Sequence, residues 1–455
     1  MAENGLLSGI MVVRAGDEGW DSARAAWNLA FDQRPAIVAL PASAGEVAKV
    51  VRFARESGLR VAVQAEGHNS GALSPVEDDT LLLKTVRMVG TELDPGGRRA
   101  RVAGAAKWRD VSGPMSEEGL APLAGSSAEV GIVGYTLGGG HGWLARKHGL
   151  ACNSVHAVEL VTADGESVRA DQENEPGLFW ALRGGGGSFG AVTALEFELY
   201  PVPELYAGML VWPWERSDDI LHAWREWLPG LPTEMSSLGR ILQVPPLPDV
   251  PEPVRGRKLA VIEAVYLGAE DAGAELLRPL GELGPEMDTF ASVPPAALGY
   301  LHMDPEDPVP ALSGHQMLEE LPSEAIDALV EAAGPGSGSP LLSVELRQLG
   351  GALAQPAPDA GALAGVNQSF AMFAVGMAMD ADMAAAVSSH ADVVTQALAP
   401  WDSGVKYGNF TEAPTDPRMY YPPDAYERLQ QVKARYDPDD VFRANHPIPS
   451  AAAAI

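Results

Sequence analysis

Near the N-terminus the hydrophobic pattern changes from that of a strand to that of a helix. Residues 36–40 form a short continuous apolar run, which is typical of a buried strand. Val47, Val50, Val51 and Ala54 then recur at the spacing of one buried helix face. The pattern therefore predicts a strand followed by a helix.

Capping residues set the limits of this helix. Ser43 with Glu46 three residues later is a capping box, and Gly58 is suited to ending the helix. Residues 60–64 read as a second strand. The chain thus opens with a β-α-β unit.

Further elements follow as far as residues 200–203, where proline recurs and the character of the chain changes. Asp164-Gly165 is a tight-turn signal. Before the change, strands are predicted at 80–84, 155–162 and 191–199, with a helix at 174–183. After it, strands are predicted at 258–267, 341–349 and 370–379, with helices at 214–228, 269–283, 323–333 and 380–397.

Composition limits the classes of partner. The chain has 455 residues, of which 46% are hydrophobic, so it has enough apolar residues for more than one core. With 61 acidic and 32 basic residues its formal charge is −29, which disfavours nucleic acid and anionic lipid as partners. Cys152 is the single cysteine, so no internal disulfide is possible. No secretory leader or membrane span is recognisable, and we expect a cytoplasmic protein.

Glycine is concentrated in segments 66–71, 131–142 and 184–190. Without a Cβ, such backbone allows N–H groups to approach a phosphate, and three such segments point to an extended phosphate-bearing cofactor. Ordinary tight turns are the alternative for each segment taken alone. Segment 185–190 matches G-x-G-x-x-G, but here a predicted helix precedes it and a strand follows. Because a Rossmann site needs the reverse order, that class is rejected.

Several long motifs resemble one family. Segments 67–69, 130–151, 160–165 and 178–184 resemble the FAD-binding domain of the vanillyl-alcohol oxidase superfamily, and within it the berberine-bridge-enzyme-like oxidases. The FAD domain is most similar to those of the 6-hydroxynicotine oxidases. The C-terminal Tyr407-Gly408-Asn409-Phe410 resembles that family's Tyr-x-Asn-Tyr motif, and the helix and tail that follow also agree.

The resemblance implies an α+β fold in two parts. A PCMH-type FAD-binding domain is expected at residues 1–204, with its core at about 34–204. A substrate domain at 205–399 is expected to have a large antiparallel sheet backed by helices. Residues 400–450 are expected to return to the FAD domain, and 451–455 to form a tail.

The resemblance also implies how FAD is held. His68 corresponds to the histidine that is joined covalently to the flavin, and a hydrogen-bonded loop histidine is the alternative. Ser127 stands where many relatives have a second, cysteine attachment, so a single attachment is expected. The predicted cofactor-binding residues are Ala65, Glu66, Gly67, His68, Asn69, Ser70, Gly71, Gly125, Ser126, Ser127, Val130, Gly131, Gly134, Tyr135, Gly138, Gly142, Gly190, Val192 and Asn409.

Other positions bear on reactivity. Val130 falls where relatives control the access of oxygen, and a small valine there resembles the oxidases. Tyr135 replaces a histidine that some relatives place near the ring. Tyr407 is the expected side chain above the flavin, where a lowered pKa would make it a base; orienting the substrate or simple packing are the alternatives. Cys152 is expected to be a buried core thiol.

Glu345 and Arg347 alternate along one predicted strand and therefore share a face. If that face covers the flavin, Glu345 is a candidate base. A salt-bridged strand at the outer surface is the alternative, which the sequence slightly favours. No group of residues has metal-ligand spacing.

The resemblance implies an oxidase that moves a hydride from a small organic substrate to flavin N5 and reduces dioxygen to hydrogen peroxide. The alternatives are a dehydrogenase with another electron acceptor, or a flavin-carrying binding or sensor protein without a catalytic base. Alcohols, amines and natural-product intermediates remain open as substrates, with a slight preference for a hydrophobic compound of secondary metabolism. The sequence leaves the oligomeric state open.

Overall fold

Three main β-sheets organise the chain in the computed structural model, which describes residues 3–248 and 250–450. The expected tail, 451–455, lies outside the described residues. The α+β class is confirmed. Among the described residues no helix is long and apolar enough to cross a bilayer.

The first sheet contains the predicted β-α-β unit. Its parallel strands are completed by a strand from the far C-terminus, Phe442–Arg443, which pairs with Arg60–Gln64. An antiparallel edge strand, Met11–Val13, closes the other side. The order across the sheet is Met11–Val13, Ile37–Leu40, Thr80–Lys84, Arg60–Gln64 and Phe442–Arg443.

The helix Ala44–Glu56 begins as its capping residues predict. Ser43 Oγ accepts the N–H of Glu46, and the Glu46 carboxylate accepts the N–H of Ala42. Its buried side includes the apolar positions of the predicted stripe. The helix therefore packs against the first sheet through the face that its sequence marks.

The second sheet is antiparallel and carries short helices on its connections. Three of its strands, Thr91–Asp94, Arg99–Ala103 and Ser167–Ala170, were not predicted because charged and polar residues interrupt their few apolar positions. The order is Thr91–Asp94, Arg99–Ala103, Ala191–Glu198, Val155–Val161 and Ser167–Ala170. The associated helices are Arg109–Ser116, Ile132–Leu137 and Pro176–Leu182.

The large antiparallel sheet that the resemblance implies is present, and it has eight strands. Its order is Met287–Asp288, Tyr206–Pro213, Lys258–Tyr266, Met235–Gln243, Ser343–Gln348, Phe370–Met377 and Ala311–Leu318, with Ala291–Ser292 also beside Tyr206–Pro213. The helices that share its main core are Ser217–Trp227, Glu270–Gly281, Ser323–Ala333 and Ala381–Ala397.

The two faces of strand Ser343–Gln348 differ in chemistry. Val344 and Leu346 belong to the core that the helices share. Because side chains alternate along a strand, Glu345 and Arg347 lie on the opposite face. Both are buried, so the outer-surface placement favoured by the sequence is wrong, while the predicted salt bridge is present.

Shorter elements connect these layers. The C-terminal helix Pro423–Tyr436 packs on Pro176–Leu182. A small pair joins Leu120–Ala121 with Tyr200–Pro201. The remaining short helices are Glu3–Leu6, Trp20–Arg24, Ser70–Leu73 and Ala145–His148.

Candidate functional site

A cavity lies where the glycine-rich loops, the face of the large sheet that carries Arg347, and the C-terminal segment meet. Most of the predicted cofactor residues line it, as does Tyr407. Those lining residues are Ala65, Glu66, Gly67, His68, Asn69, Ser70, Gly125, Ser126, Ser127, Val130, Gly131, Gly134, Tyr135, Gly138, Gly190, Val192 and Asn409. Residues far apart in the sequence are thus brought to one site.

Two predicted glycines lie where the chain is closely packed. A Cβ at Gly71 would collide with the backbone oxygen of Glu412 and the ring of Phe31, and one at Gly142 would collide with the backbone oxygen of Ala124. Neither glycine lines the main cavity, although Gly142 lines a small adjoining pocket. Both positions therefore need glycine for close packing of the chain, and their prediction as cofactor contacts stays a prediction.

The order of elements around segment 184–190 supports the rejection of a Rossmann site. The helix Pro176–Leu182 precedes the loop and the strand Ala191–Glu198 follows it. The glycines of this loop also differ in what surrounds them. A Cβ at Gly190 would crowd Leu160, whereas one at Gly186 would meet nothing nearby.

His68 stands at the wall of the cavity and is half-buried. Its ring stacks on Trp27 with 4.2 Å between centroids. The Nε2 atom is buried and has no hydrogen-bond partner among the described residues. Burial lowers the pKa of His68 to about 4, despite a hydrogen bond with the backbone of Glu129. The imidazole is therefore neutral at pH 7 and keeps a free nitrogen lone pair or N–H at the cavity.

The backbone before His68 accepts only glycine. Gly67 has a φ of 89°, and a Cβ there would come within 2.8 Å of the Gln64 side chain and 2.9 Å of Ala26. Glycine thus turns the chain sharply after the strand Arg60–Gln64 and presents His68 to the cavity.

The C-terminal motif closes onto the second glycine-rich loop. Asn409 Oδ1 accepts the N–H of Gly140 (3.2 Å), and its Nδ2 donates to the backbone oxygen of Tyr135 (3.0 Å). Gly139 has a φ of 121°, and a Cβ there would lie 2.9 Å from the Tyr407 hydroxyl. Asn409 therefore holds the loop and the C-terminal segment together at the cavity.

Tyr407 does not have the lowered pKa that a base requires. Only 3% of the residue is exposed, and its hydroxyl has no hydrogen-bond partner among the described residues. Burial raises its pKa well above the ordinary value. As it stands, this hydroxyl is suited to donating a hydrogen bond into the cavity.

Glu345 is held in a buried charge network on the inner face of the large sheet. Its Oε1 accepts from Arg347 Nε (2.6 Å), and its Oε2 lies 3.0 Å from His302 Nε2. Burial alone would raise the pKa of Glu345, but Arg347 and His302 hold it well below its usual range. A carboxylate so strongly stabilised in its ionised form is a poor proton acceptor. Since Arg347 rather than Glu345 lines the cavity, the prediction of Glu345 as a base is not favoured.

The network continues to the neighbouring strands through His302. Glu263 pairs with Arg240 (2.8 Å) and with His302 Nδ1 (2.7 Å). Burial is the largest single effect and lowers the pKa of His302, but the charges of Glu263, Asp304 and Glu345 together outweigh it and the pKa reaches about 9. Nothing in the local sequence of His302 marks it, because its partners come from other strands.

The single cysteine lies in the core, as predicted. Cys152 is fully buried, and burial raises the pKa of its thiol to about 12. It is a core residue without nucleophilic character at pH 7.

Several lining residues were missed at the sequence level. Apart from His141, which lies in segment 131–142, they lie outside the glycine-rich loops. Most are in the C-terminal segment, where they would be found only by following the chain back to the first sheet. These residues are His141, Asp304, Arg347, Leu363, Lys406, Tyr420, Tyr421, Arg443, Ala444, Asn445 and His446.

One carboxyl beside the site is expected to make stability depend on pH. Burial raises the pKa of Glu412 from 4.5 to about 7, although Ser313 Oγ donates to it at 2.7 Å. Because the folded state then binds the proton more tightly than the unfolded state, stability should fall as pH rises from about 4.5 to 7. In the wild type the melting temperature should therefore decrease between these pH values, and in Glu412→Gln the contribution of this carboxyl to the decrease should disappear. An unchanged pH profile in the variant would contradict the assignment.

The residues present fit a dinucleotide. Gly134, Gly186 and Gly187 leave open space where a side chain would stand, and Gly131 and Gly138 bring main chain to the same cavity. The free imidazole nitrogen of His68 stands at one wall, and the tyrosine hydroxyl at another. Such a combination of accessible backbone and few directed polar groups is typical of a cofactor site.

Comparisons with known proteins agree with this geometry. Residues 35–171 match the FAD binding domain family, and residues 406–449 match the berberine and berberine-like family. The (R)-6-hydroxynicotine oxidase of Paenarthrobacter nicotinovorans is 37% identical over 202 residues, which are 44% of each chain. Glucooligosaccharide oxidase of Sarocladium strictum is 32% identical over 225 residues, 48% of this chain and 45% of that one. These alignments therefore span less than half of the two relatives.

A solved structure extends the similarity to nearly the whole chain. The 6-hydroxy-D-nicotine oxidase from Arthrobacter nicotinovorans superposes with a TM-score of 0.82 at 26% identity, covering 97% of this chain and 98% of that one. Fold, cavity and family matches together define an FAD-linked oxidoreductase, an enzyme. Within that class the chain is similar to the berberine-bridge-enzyme-like proteins, because its N-terminal and C-terminal segments match the two family models in that order.

Proposed function

We propose that this enzyme is an oxidase that carries FAD in the described cavity, attached covalently through His68, and that it oxidises a small organic molecule with dioxygen as the acceptor. The observation that carries the proposal is the state of His68. A neutral imidazole with a buried, unpartnered Nε2 faces a glycine-lined cavity. A protonated or fully hydrogen-bonded histidine would be unable to form a bond to the flavin.

The chain's own residues position the cofactor and substrate. Main chain of segments 65–70 and 125–134 lines one side of the cavity, where its N–H groups suit phosphate and ring oxygens. Tyr407 and Arg347 line the cavity together with these loops. When bound, FAD supplies the acceptor for a hydride and the route for electrons to dioxygen. Phe410 and Leu363 add apolar surface that excludes water from the reacting atoms.

Two observations favour an oxidase over a dehydrogenase. Relatives similar to the FAD-binding half are named as oxidases. Val130, a small residue at the position where the resemblance implies control of oxygen access, lines the cavity. The substrates named for those relatives, a hydroxynicotine and an oligosaccharide, differ widely and do not select one for this enzyme.

The oxidase proposal is tested by reoxidation of the reduced protein. We expect photoreduced enzyme mixed with air-saturated buffer to recover its flavin absorbance rapidly and to form about one hydrogen peroxide per flavin, because a two-electron reduced flavin passes both electrons to one dioxygen. Slow recovery, combined with rapid recovery on addition of an artificial electron acceptor, would identify a dehydrogenase instead.

Oxygen access gives a site-specific prediction. In Val130→Leu the larger side chain should slow reoxidation by about tenfold, which corresponds to an increase of about 1.4 kcal/mol in the activation free energy. Val89→Leu makes the same change at an exposed position and should have no effect. Stopped-flow reoxidation of both variants measures this, and equal rates for Val130→Leu and the wild type would remove Val130 from the oxygen path.

A further inference from the structure

Arg347 is a buried cation whose hydrogen-bonding capacity is largely unused. Only 11% of its side chain is exposed, and it lines both the main cavity and the small adjoining pocket. Among the described residues its guanidinium makes one hydrogen bond, from Nε to Glu345 Oε1. The two terminal nitrogens are therefore available to a ligand.

Aromatic packing fixes the orientation of this guanidinium. Its central carbon lies 5.1 Å from the centroid of the Phe410 ring, so one flat face is covered. The pair with Glu345 occupies the Nε side. What remains is the edge formed by the two terminal nitrogens, which matches the two oxygens of a carboxylate.

The charges around Arg347 favour an anion there. The buried network contains two carboxylates, Glu263 and Glu345, and three cations, Arg240, Arg347 and the protonated His302. It therefore carries one positive charge more than negative. A further carboxylate, Asp304, pairs with His302 at 3.9 Å and also acts on Arg347, but it is partly exposed and accepts a hydrogen bond from Ser126, so it offsets this positive charge only in part. An excess charge away from water is costly unless it is paired.

The groups beside Arg347 at the cavity are neutral and short of partners. Burial lowers the pKa of His141 to about 3, and the ring is uncharged. His141 Nδ1 and the hydroxyl of Tyr407 are buried without hydrogen-bond partners among the described residues. Both rings lie near Phe410, at 6.2 Å and 5.3 Å between centroids. Buried polar atoms of this kind are expected to be satisfied by a ligand.

We propose that Arg347 binds a carboxylate of the substrate, so that this enzyme acts on small organic acids with an apolar or aromatic body. This inference rests on the proposed function and narrows its substrate class. Arg347 supplies the fork of donors, His141 and Tyr407 complete the polar surroundings, and Phe410 with Leu363 receives the apolar part. Glu345 is a positioning residue that holds the guanidinium in place.

The test compares a charged probe with a neutral one of the same shape. Benzoate and benzamide are titrated into the oxidised, FAD-containing protein, and binding is followed by the change in the flavin absorbance spectrum. The wild type should bind benzoate at least about tenfold more tightly than benzamide, which corresponds to a difference of about 1.4 kcal/mol in binding free energy. Equal affinities, or no response to benzoate, would overturn the inference.

Variants then assign the preference to Arg347. Arg347→Met should abolish the preference for benzoate, but it also destabilises the protein because Glu345 stays buried without its partner, so a second variant is needed. The double variant Arg347→Met with Glu345→Gln removes both charges and should also lose the preference. Glu345→Gln alone keeps the guanidinium and should retain it. Arg418→Met, at a mostly exposed arginine, is the control for general loss of a positive charge.

The same samples show whether Arg347 pairs with a substrate carboxylate or with the reduced flavin. They also show whether a negative result concerns the substrate or the proposed function. If Arg347 instead served the charge of the reduced flavin, the double variant would shift the flavin reduction potential and leave the benzoate preference intact, which would overturn the inference. The flavin content of the purified protein reports on the proposed function independently. If the protein carries FAD but binds benzoate and benzamide equally, only the proposed substrate class is contradicted. If the protein binds no FAD, the proposed function is contradicted as well.

Discussion

Replacement of His68 by alanine is expected to free all of the flavin from the chain on acid precipitation. In the wild type the imidazole is neutral, and its Nε2 is buried without a partner at the cavity wall. An alanine methyl has no nucleophilic nitrogen, and Ser127, which also lines the cavity, is too weak a nucleophile to replace it. The precipitated wild type should remain yellow, while the variant should give a colourless pellet and a yellow supernatant.

A second histidine provides the control. His148 is partly buried and packs against Tyr200, with tilted rings whose centroids are 4.2 Å apart, but it does not line the cavity. His148→Ala should keep its flavin in the pellet. Retention of flavin by precipitated His68→Ala would mean that another side chain forms the bond.

Loss of the Lys433 ammonium is expected to cost about 3–5 kcal/mol of unfolding free energy, since a buried charge would lose its partner. Lys433 and Asp437 are both fully buried, with Nζ 2.5 Å from Oδ2. The same ammonium donates to the backbone oxygen of Ser188 (2.9 Å). In Lys433→Met the Asp437 carboxylate would keep only the N–H groups of Val441 and Phe442.

The Lys433→Met substitution should weaken FAD binding as well as lower stability. Ser188 lies in the glycine-rich loop 184–190, and Phe442 lies in the strand that joins the first sheet. Loosening both should weaken FAD retention in a His68→Ala background. Thermal and urea unfolding measure the loss of stability, and equilibrium dialysis measures the retention of FAD.

Arg435, two residues away, is the matched control for Lys433. Its side chain is 69% exposed and pairs with Glu175 at 3.0 Å. Arg435→Met removes the same charge at the surface and should cost less than about 1 kcal/mol. If Lys433→Met unfolded at the same urea concentration as Arg435→Met, the buried pair would have no special role.

Local signals in the sequence predict the first part of the fold well. The capping residues Ser43 and Glu46 and the helical spacing that follows depend only on near neighbours, so the helix Ala44–Glu56 is found nearly to its ends. The strand Met235–Gln243 was missed because serine, glycine and arginine interrupt its apolar residues. Those residues are buried by strands that are distant in sequence, which a local pattern does not reveal.

The site shows the same division. Glycine and histidine in long motifs mark the loops around His68, and these residues do line the cavity. The opposite wall was harder to predict. Arg347 reaches the cavity, whereas Glu345 two residues earlier turns to Arg347 and His302, and this difference depends on the partners supplied by other strands. Gly71 and Gly142 show that a motif glycine is also kept where two stretches of backbone meet.

The bond between His68 and FAD is tested most directly on the peptide that contains this residue. The purified wild-type protein would be precipitated with acid, digested, and analysed by mass spectrometry with detection of flavin absorbance. We expect the peptide with His68 to carry one flavin and no other peptide to carry any. An unmodified His68 peptide from protein whose flavin stays in the acid supernatant would contradict it.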